Sequence, residues 1–187
     1  MQNEIDKALL NLREGKIILY PTDTIWGIGC DATNPEAVDK VYSIKQRADQ
    51  KSMLVLVDSP YMMSSYVKIV PSIAWELLES SDEPLTIIYP GAKNLAHNLI
   101  NQDGSIGIRI CNTAFCQKLI SRFRKPIVST SANISGKPHP KSFSDIEETI
   151  HDEVDYVVDW EQNIYEIKKP SPIIKLGVNN EIQIIRS

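Results

Sequence analysis

Short apolar runs and amphipathic stretches follow one another along this chain without a strict strand–helix–strand repeat, and that irregular order constrains the fold more than any single residue does. Over Glu4–Glu14, Ile5, Ala8, Leu9 and Leu12 recur at the i, i+3, i+4 and i+7 spacing of one helical face, with Gly15 as a stop. Ile17–Tyr20 reads as a buried strand ended by Pro21. Asn34-Pro35 joins a capping side chain to a proline at the first helical position, so a second helix starts there, turns Val38, Val41 and Tyr42 inward and ends near Arg47. Met53–Val57, Leu85–Tyr89 and Ser105–Ile110 read as strands, the last one alternating after the Asp103-Gly104 turn signal, and Ser72–Leu78 reads as a helix containing Trp75. Phe115, Leu119, Ile120 and Phe123 mark a helix ahead of a strand at Pro126–Val128. An acidic helix over about Ser144–Glu153 and strands near Tyr156–Asp159, Ile173–Leu176 and Ile182–Ile185 finish the chain. The pattern predicts an α+β (mixed α/β) sheet fold in one domain over residues 1–187, with no internal repeat.

At 187 residues the chain is long enough to bury roughly 70% of its unfolded surface. Its net charge of −4 is that of no polyanion binder as a whole, so any nucleic-acid surface has to be a local patch of Lys and Arg. Cys30, Cys111 and Cys116 form an odd set without a CxxC pair, which argues against a disulfide scaffold or a structural zinc site. No charged start leads into an apolar segment, and no apolar run approaches the roughly 20 residues of a membrane span. The expectation is a soluble, reduced, cytoplasmic protein with no membrane contact.

Three segments carry more polar residues near strand ends than packing asks for. Pro21-Thr22-Asp23-Thr24-Ile25-Trp26-Gly27-Ile28-Gly29 follows a buried strand and has the composition of a ligand pocket, with Trp26 as a wall for a planar or apolar group. A Gly-rich turn with Trp26 in the core fits the same residues. Lys45, Arg47 and Lys51 put three cations in seven residues, which suits a triphosphate. Basic residues also favour helix C-termini, where they complement the dipole by a few tenths of a kcal/mol to about 1 kcal/mol. Ser129-Thr130-Ser131-Ala132-Asn133-Ile134-Ser135-Gly136 comes straight after Pro126-Ile127-Val128. Each buried polar group left without a partner costs about 1–3 kcal/mol, so a polar ligand is the favoured partner; a locally satisfied Ser/Thr turn or helix cap is the alternative.

No GxxxxGK[ST], GxGxxG or HExxH occurs, so a triphosphate site here is built from side chains and irregular backbone. His97, His139 and His151 have no metal-triad spacing, and no Ser-His-Asp or Cys-His set points to a covalent intermediate.

Taken together, these segments resemble the YrdC/Sua5 family. Pro21–Gly29 resembles its P-T-[DE]-T-[VI]-[YFW]-G-[LIV]-G, Lys45–Lys51 its K-x-R-x-x-x-K, Gly104–Arg109 its G-[ST]-[VI]-[AG]-[VI]-R, and Ser129–Pro138 its S-T-S-A-N-x-S-G-x-P, in the same order. The resemblance implies a twisted mixed open sheet with flanking helices around a concave basic cavity. It also implies a nucleotidyltransferase, L-threonylcarbamoyladenylate synthase. In that reaction L-threonine, bicarbonate and ATP, with Mg2+, give threonylcarbamoyl-AMP and pyrophosphate for N6-threonylcarbamoyladenosine in tRNA. By position, Thr24, Trp26, Arg109, Ser129 and Ser171 would hold threonine, with Arg109 facing its carboxylate. Lys45, Arg47, Lys51, Ser105, Ser131, Asn133, His139 and Arg186 would line the ATP side, the first three as the catalytic cations. Ala48 stands in place of the family's usual proline and Ser52 in place of its proline or glycine, and Leu56 stands where some members have a substrate-contacting histidine. Ending at Ser187, the chain matches the short bacterial form, which would hand its product to tRNA threonylcarbamoyl transferase proteins.

The competing expectation is a non-catalytic double-stranded RNA- or nucleotide-binding paralogue, with Lys118, Arg122, Arg124, Lys125, Lys137 and Lys141 as a basic run for RNA or tRNA. The same run also reads as an ordinary solvated face. Retention of Lys45, Arg47 and Asn133 favours the enzyme.

Overall fold

Successive residues of the first strand part company: Ile17 and Leu19 join one apolar cluster, Ile18 and Tyr20 another, because side chains alternate across a pleated strand. A sheet with an apolar layer on each face follows. The computed structural model, which describes residues 1–46, 53–163 and 169–187, has that form. Its strands are β1 (Ile18–Tyr20), β2 (Gly27–Gly29), β3 (Leu54–Val57), β4 (Thr86–Tyr89), β5 (Ile106–Ile110), β6 (Ile127–Ser131), β7 (Tyr156–Val157), β8 (Ile173–Leu176) and β9 (Ile182–Arg186). They lie in one sheet in the order β7-β1-β2-β6-β3-β5-β4-β8-β9. The β1–β7, β3–β5 and β4–β8 pairs are parallel. The remaining neighbours are antiparallel. The helices are α1 (Gln2–Arg13), α2 (Pro35–Ile44), α3 (Pro60–Ser64), α4 (Ser72–Ser80), α5 (Ala114–Phe123) and α6 (Glu148–Glu153). This is the mixed α/β sheet the apolar pattern predicts.

On one face α1 packs on α5, uniting Ile5, Leu9 and Leu12 with Phe115, Leu119 and Phe123. On the other, Val38 and Val41 of α2 share a core with Val55, Val57 and Ile87. Each such side chain contributes roughly 1.5–3 kcal/mol on burial, more than helix propensity offers over the same residues. The caps follow the sequence: Asn34 Oδ1 accepts from the Glu36 and Ala37 amides at 3.0 and 3.2 Å, and Thr113 Oγ1 accepts from the Cys116 amide at 3.4 Å.

Four local readings change. The segment over Gly27–Gly29, read as loop, is strand β2. A Cβ on Gly29 would stand 2.4 Å from the Val128 carbonyl oxygen and 2.6 Å from Tyr20 Cε1, so glycine here lets two strands and an aromatic ring close up. Strand β6 does not stop at Val128 but runs through the polar residues to Ser131. Its partner β2 satisfies the backbone there, with Thr130 opposite Ile28 and Ser131 opposite Gly27. Helix α2 ends at Ile44, ahead of Gln46, whose φ of 49° leaves the helical region. The acidic helix over Ser144–Glu153 is split. A 3-10 turn at Phe143–Asp145 closes on a capping box in which Asp145 accepts from the Ser142 amide at 3.0 Å. The chain is then extended at Ile146 before α6 begins. Helix α3, unread in the sequence, is one short turn capped by Ser59. Among the described residues no helix is long and apolar enough to cross a membrane.

Candidate active site

The end of β6, the segment Thr24–Gly27 leading into β2, Arg109 of β5 and the chain around Ser171 enclose a cavity of about 300 Å³. That is the size of a small-ligand site. Its polar side chains form two groups.

The first group centres on Arg109, which is 4% exposed. A guanidinium stays charged at any ordinary pH, so its burial demands partners. Nη2 lies 2.9 Å from Oδ1 of Asp23 and donates to Thr22 Oγ1 at 3.5 Å. Nη1 donates to Ser171 Oγ at 3.2 Å, and Ser171 Oγ shares a 2.7 Å hydrogen bond with Thr86 Oγ1. The Ser171 carbonyl oxygen accepts from Arg186 Nε and Nη2 at 3.0 and 2.6 Å. Burial, and after it repulsion from Arg109, lowers the Arg186 pKa. Thr24 joins through Thr22, whose Oγ1 lies 3.2 Å from Thr24 Oγ1 and donates to the Ile25 carbonyl at 2.7 Å.

The second group centres on Asn133 and Lys45. Lys45, 3% exposed, follows the last turn of α2 and donates to the Ser131 carbonyl at 2.5 Å, Ser131 Oγ at 3.3 Å and Asn133 Oδ1 at 2.9 Å. The Asn133 amide nitrogen donates to the carbonyls of Lys137 at 2.6 Å and Ile134 at 3.2 Å. The Ser135 amide donates to the Lys45 carbonyl at 3.0 Å. Asn133 thus folds the loop after β6 back on itself and sets Lys137, Pro138 and His139 against the cavity.

Thr24, Trp26, Arg109, Ser129, Ser131, Asn133, His139, Ser171 and Arg186, drawn from five separate stretches of sequence, all line this one hollow. Lys45 reaches it through Ser131 and Asn133. Trp26 serves both readings of its segment. It lines the cavity and also packs on Phe143, with ring centroids 4.8 Å apart, and Phe143 meets His151 edge-on at 5.1 Å. Ser105 is placed elsewhere: it is buried, donates to Asp103 Oδ1 at 2.6 Å and accepts from Asn101 at 3.0 Å, and it does not line the cavity. Arg47 and Lys51 lie outside the described residues. Leu56 is core.

Thr130 and Pro138 line the cavity without an assigned role, and Lys137, read as part of the basic run, lines it too; all three fall inside the Ser129–Pro138 motif, which was the available signal. Met53, Leu54, Pro170 and Ile173 also line it and are apolar or turn residues with no chemical signature in sequence. Of the basic run, Arg122 pairs with Asp6 at 2.5 Å, Lys125 with Asp31 at 2.6 Å and Lys137 with Glu147 at 2.6 Å, so half of that charge is already met by carboxylates. Among the described residues no group of three His, Cys, Asp or Glu side chains converges as metal ligands would.

The arrangement defines a class: a mixed-sheet protein whose cavity has an arginine and hydroxyls at one end, a chemistry suited to a small carboxylate, and a lysine-bound amide and hydroxyl cluster at the other, suited to a ligand rich in oxygen atoms. The chain belongs to the Sua5/YciO/YrdC family, described as "Telomere recombination", whose profile matches residues 11–187. It is 34% identical over 161 residues to the threonylcarbamoyl-AMP synthase of Pseudoalteromonas translucida, covering 84% of this chain and 86% of that one. With the enzyme of the same name from Vibrio campbellii it shares 33% over 156 residues, 79% of this chain and 81% of that one. Among solved structures, P. abyssi Sua5 complexed with L-threonine superposes with a TM-score of 0.83 at 25% identity, covering 94% of this chain. The present chain spans about half (52%) of that protein. E. coli YciO, at 23% identity and a TM-score of 0.86, covers 100% of this chain and 90% of its own and shares the fold.

Proposed function

We propose that this chain is a nucleotidyltransferase that makes threonylcarbamoyl-AMP and pyrophosphate from L-threonine, bicarbonate and ATP. The observation that carries the reading is the convergence, in one cavity, of the Arg109–Ser171–Thr24 group with the Lys45–Ser131–Asn133 group. The names of the curated relatives and the L-threonine in the P. abyssi structure support it.

Threonine's amine and bicarbonate condense to a carbamate with loss of water. One carbamate oxygen attacks the α-phosphorus of ATP, and the bond from that phosphorus to the bridging oxygen of the β-phosphate breaks, so pyrophosphate leaves. The attacking oxygen is already anionic, and the transfer itself needs no general base. The protein's part is to align two anionic substrates and offset their charge. Arg109 takes the threonine carboxylate and Trp26 walls the side chain. Lys45, through Ser131 and Asn133, shapes the nucleotide end, where Arg47 and Lys51 are assigned to the phosphates by the K-x-R-x-x-x-K motif. Mg2+ comes as part of the ATP substrate, held by phosphate oxygens and water. An enclosed cavity also slows hydrolysis of the mixed anhydride. The product would pass in the cytoplasm to the tRNA threonylcarbamoyl transferase proteins.

The test is pyrophosphate release from the purified chain. It should require ATP, threonine and bicarbonate together and yield an adenylate by mass spectrometry; release independent of threonine and bicarbonate, or none, sinks the proposal. Arg47→Ala and Lys51→Ala should each lower turnover about 10²-fold, as removal of an electrostatic stabiliser does.

A further inference from the structure

Among the described residues, Asp23 is the one carboxylate paired with the arginine of the amino-acid end. Its side chain is 5% exposed, and its Oδ1 lies 2.9 Å from Arg109 Nη2. Neither carboxylate oxygen has an aligned hydrogen bond among the described residues, and Arg109 Nε has none either. The contact is therefore one of charge, in which Asp23 meets a single corner of the guanidinium, Ser171 and Thr22 accept from its two terminal nitrogens, and Nε is left without a partner. Asp23 does not line the cavity while Arg109 does. It thus meets the arginine from outside the cavity lining.

From this geometry we propose that Asp23 is the positioning residue for Arg109: it supplies the buried counter-charge that keeps the guanidinium in place before the substrate carboxylate arrives. The inference rests on the threonine-binding reading above and assigns a residue to it. An arginine sealed from water without an anion is strongly disfavoured. Without Asp23, Arg109 would keep only the neutral hydroxyls of Ser171 and Thr22 as partners, and would shift toward other oxygens or draw in water. With Asp23 in place, Thr22, Ser171 and Asp23 fix three sides of the group at 3.5, 3.2 and 2.9 Å, and a carboxylate docks without first reordering it. The effect should fall on the amino-acid substrate and spare the nucleotide, whose end of the cavity is built on Asn133 and Lys45.

The experiment is steady-state kinetics on the full chain. Asp23→Asn, alike in shape but uncharged, should raise KM for threonine at least tenfold, leave KM for ATP within twofold and change kcat less than threefold. Asp23→Glu, which returns the charge, should recover part of the loss. In an Arg109→Lys background the same Asp23→Asn change should add less than threefold, because both act through one contact. An unchanged threonine KM in Asp23→Asn, or equal rises for both substrates, overturns the proposal. Should Asp23→Asn not fold, calorimetric binding of L-threonine to Asp23→Glu decides. Threonine affinity weaker than wild type at unchanged ATP affinity supports the role, and wild-type affinity for both overturns it. A wild-type protein that binds threonine but releases no pyrophosphate defeats the reaction assignment alone, and Asp23 is then judged by that binding.

Discussion

The two ends of the cavity are built on different plans. Around Asn133 most partners are local: Ser131, Ile134 and Lys137 lie within four residues of it, and Lys45 alone arrives from afar. Around Arg109 nothing is local. Thr22, Asp23 and Ser171 come from positions 87, 86 and 62 residues away, and Thr86 and Arg186 meet there only through Ser171. The local end is a folded-back loop that one motif encodes. The distant end exists only when β1, β4, β5, β8 and β9 have taken their places in the sheet, so its integrity and the protein's stability are tied together.

Arg109→Ala should separate the two plans most sharply. Removing one partner of a buried ion pair costs about 3–5 kcal/mol, and loss of the carboxylate donor should lower threonine-dependent turnover about 10²–10³-fold. Urea unfolding and pyrophosphate release measure the two effects. A variant as stable as wild type would mean that the distant end is not coupled to the fold. Gly29→Ala comes next and should not discriminate between the ends, since a methyl there meets Val128 and Tyr20, neither of which lines the cavity. Overpacking of this kind costs about 1–3 kcal/mol, so the melting midpoint should fall while the ratio of the two KM values stays constant. Asn133→Ala should leave the melting midpoint nearly unmoved and weaken ATP binding about tenfold, or ~1.4 kcal/mol. Calorimetry showing a loss of threonine affinity instead would merge the two ends.

The smallest effect lies outside both. Lys175, then Ser105, holds the Asp103 carboxyl at about 2, below its ordinary 3.8. A depressed carboxylate contributes stability above its unfolded pKa and loses it as pH falls through the folded one. The contribution is therefore complete above about pH 4 and fades toward about pH 2. The site is half exposed, so Asp103→Asn should cost under about 1 kcal/mol at neutral pH. Urea midpoints of variant and wild type should converge on acidification, and a gap that stays constant would refute the assignment.

Much of the fold was legible because its signals are periodic and local. The α1 stripe, the Asn34-Pro35 start of α2 and the alternating β5 all sit within a residue or two of where the spacing puts them. The misreadings share one cause. Gly27–Gly29 has no bulky β-forming residue except Ile28, and Ser129–Ser131 is polar, so neither resembles a strand until the two pair with each other. Tertiary pairing overrode composition in both. The candidate site was legible through motifs that carry Arg109, Ser129 and Asn133, and through the family likeness at Ser171, all of which line one cavity. Ser105 sits inside a motif as well, but Asp103, two residues before it, claims its hydroxyl.

By itself the sequence determined the periodic helices and strands, the mixed sheet class and which segments carry polar chemistry, since periodicity, capping residues and motif spacing are properties of neighbours along the chain. Only the tertiary structure decided that Asp23 and Thr22 meet Arg109 and that Ser171 joins it to Arg186. Those contacts bridge up to 87 residues, and a chain's local pattern holds no record of which distant side chains its sheet will bring face to face.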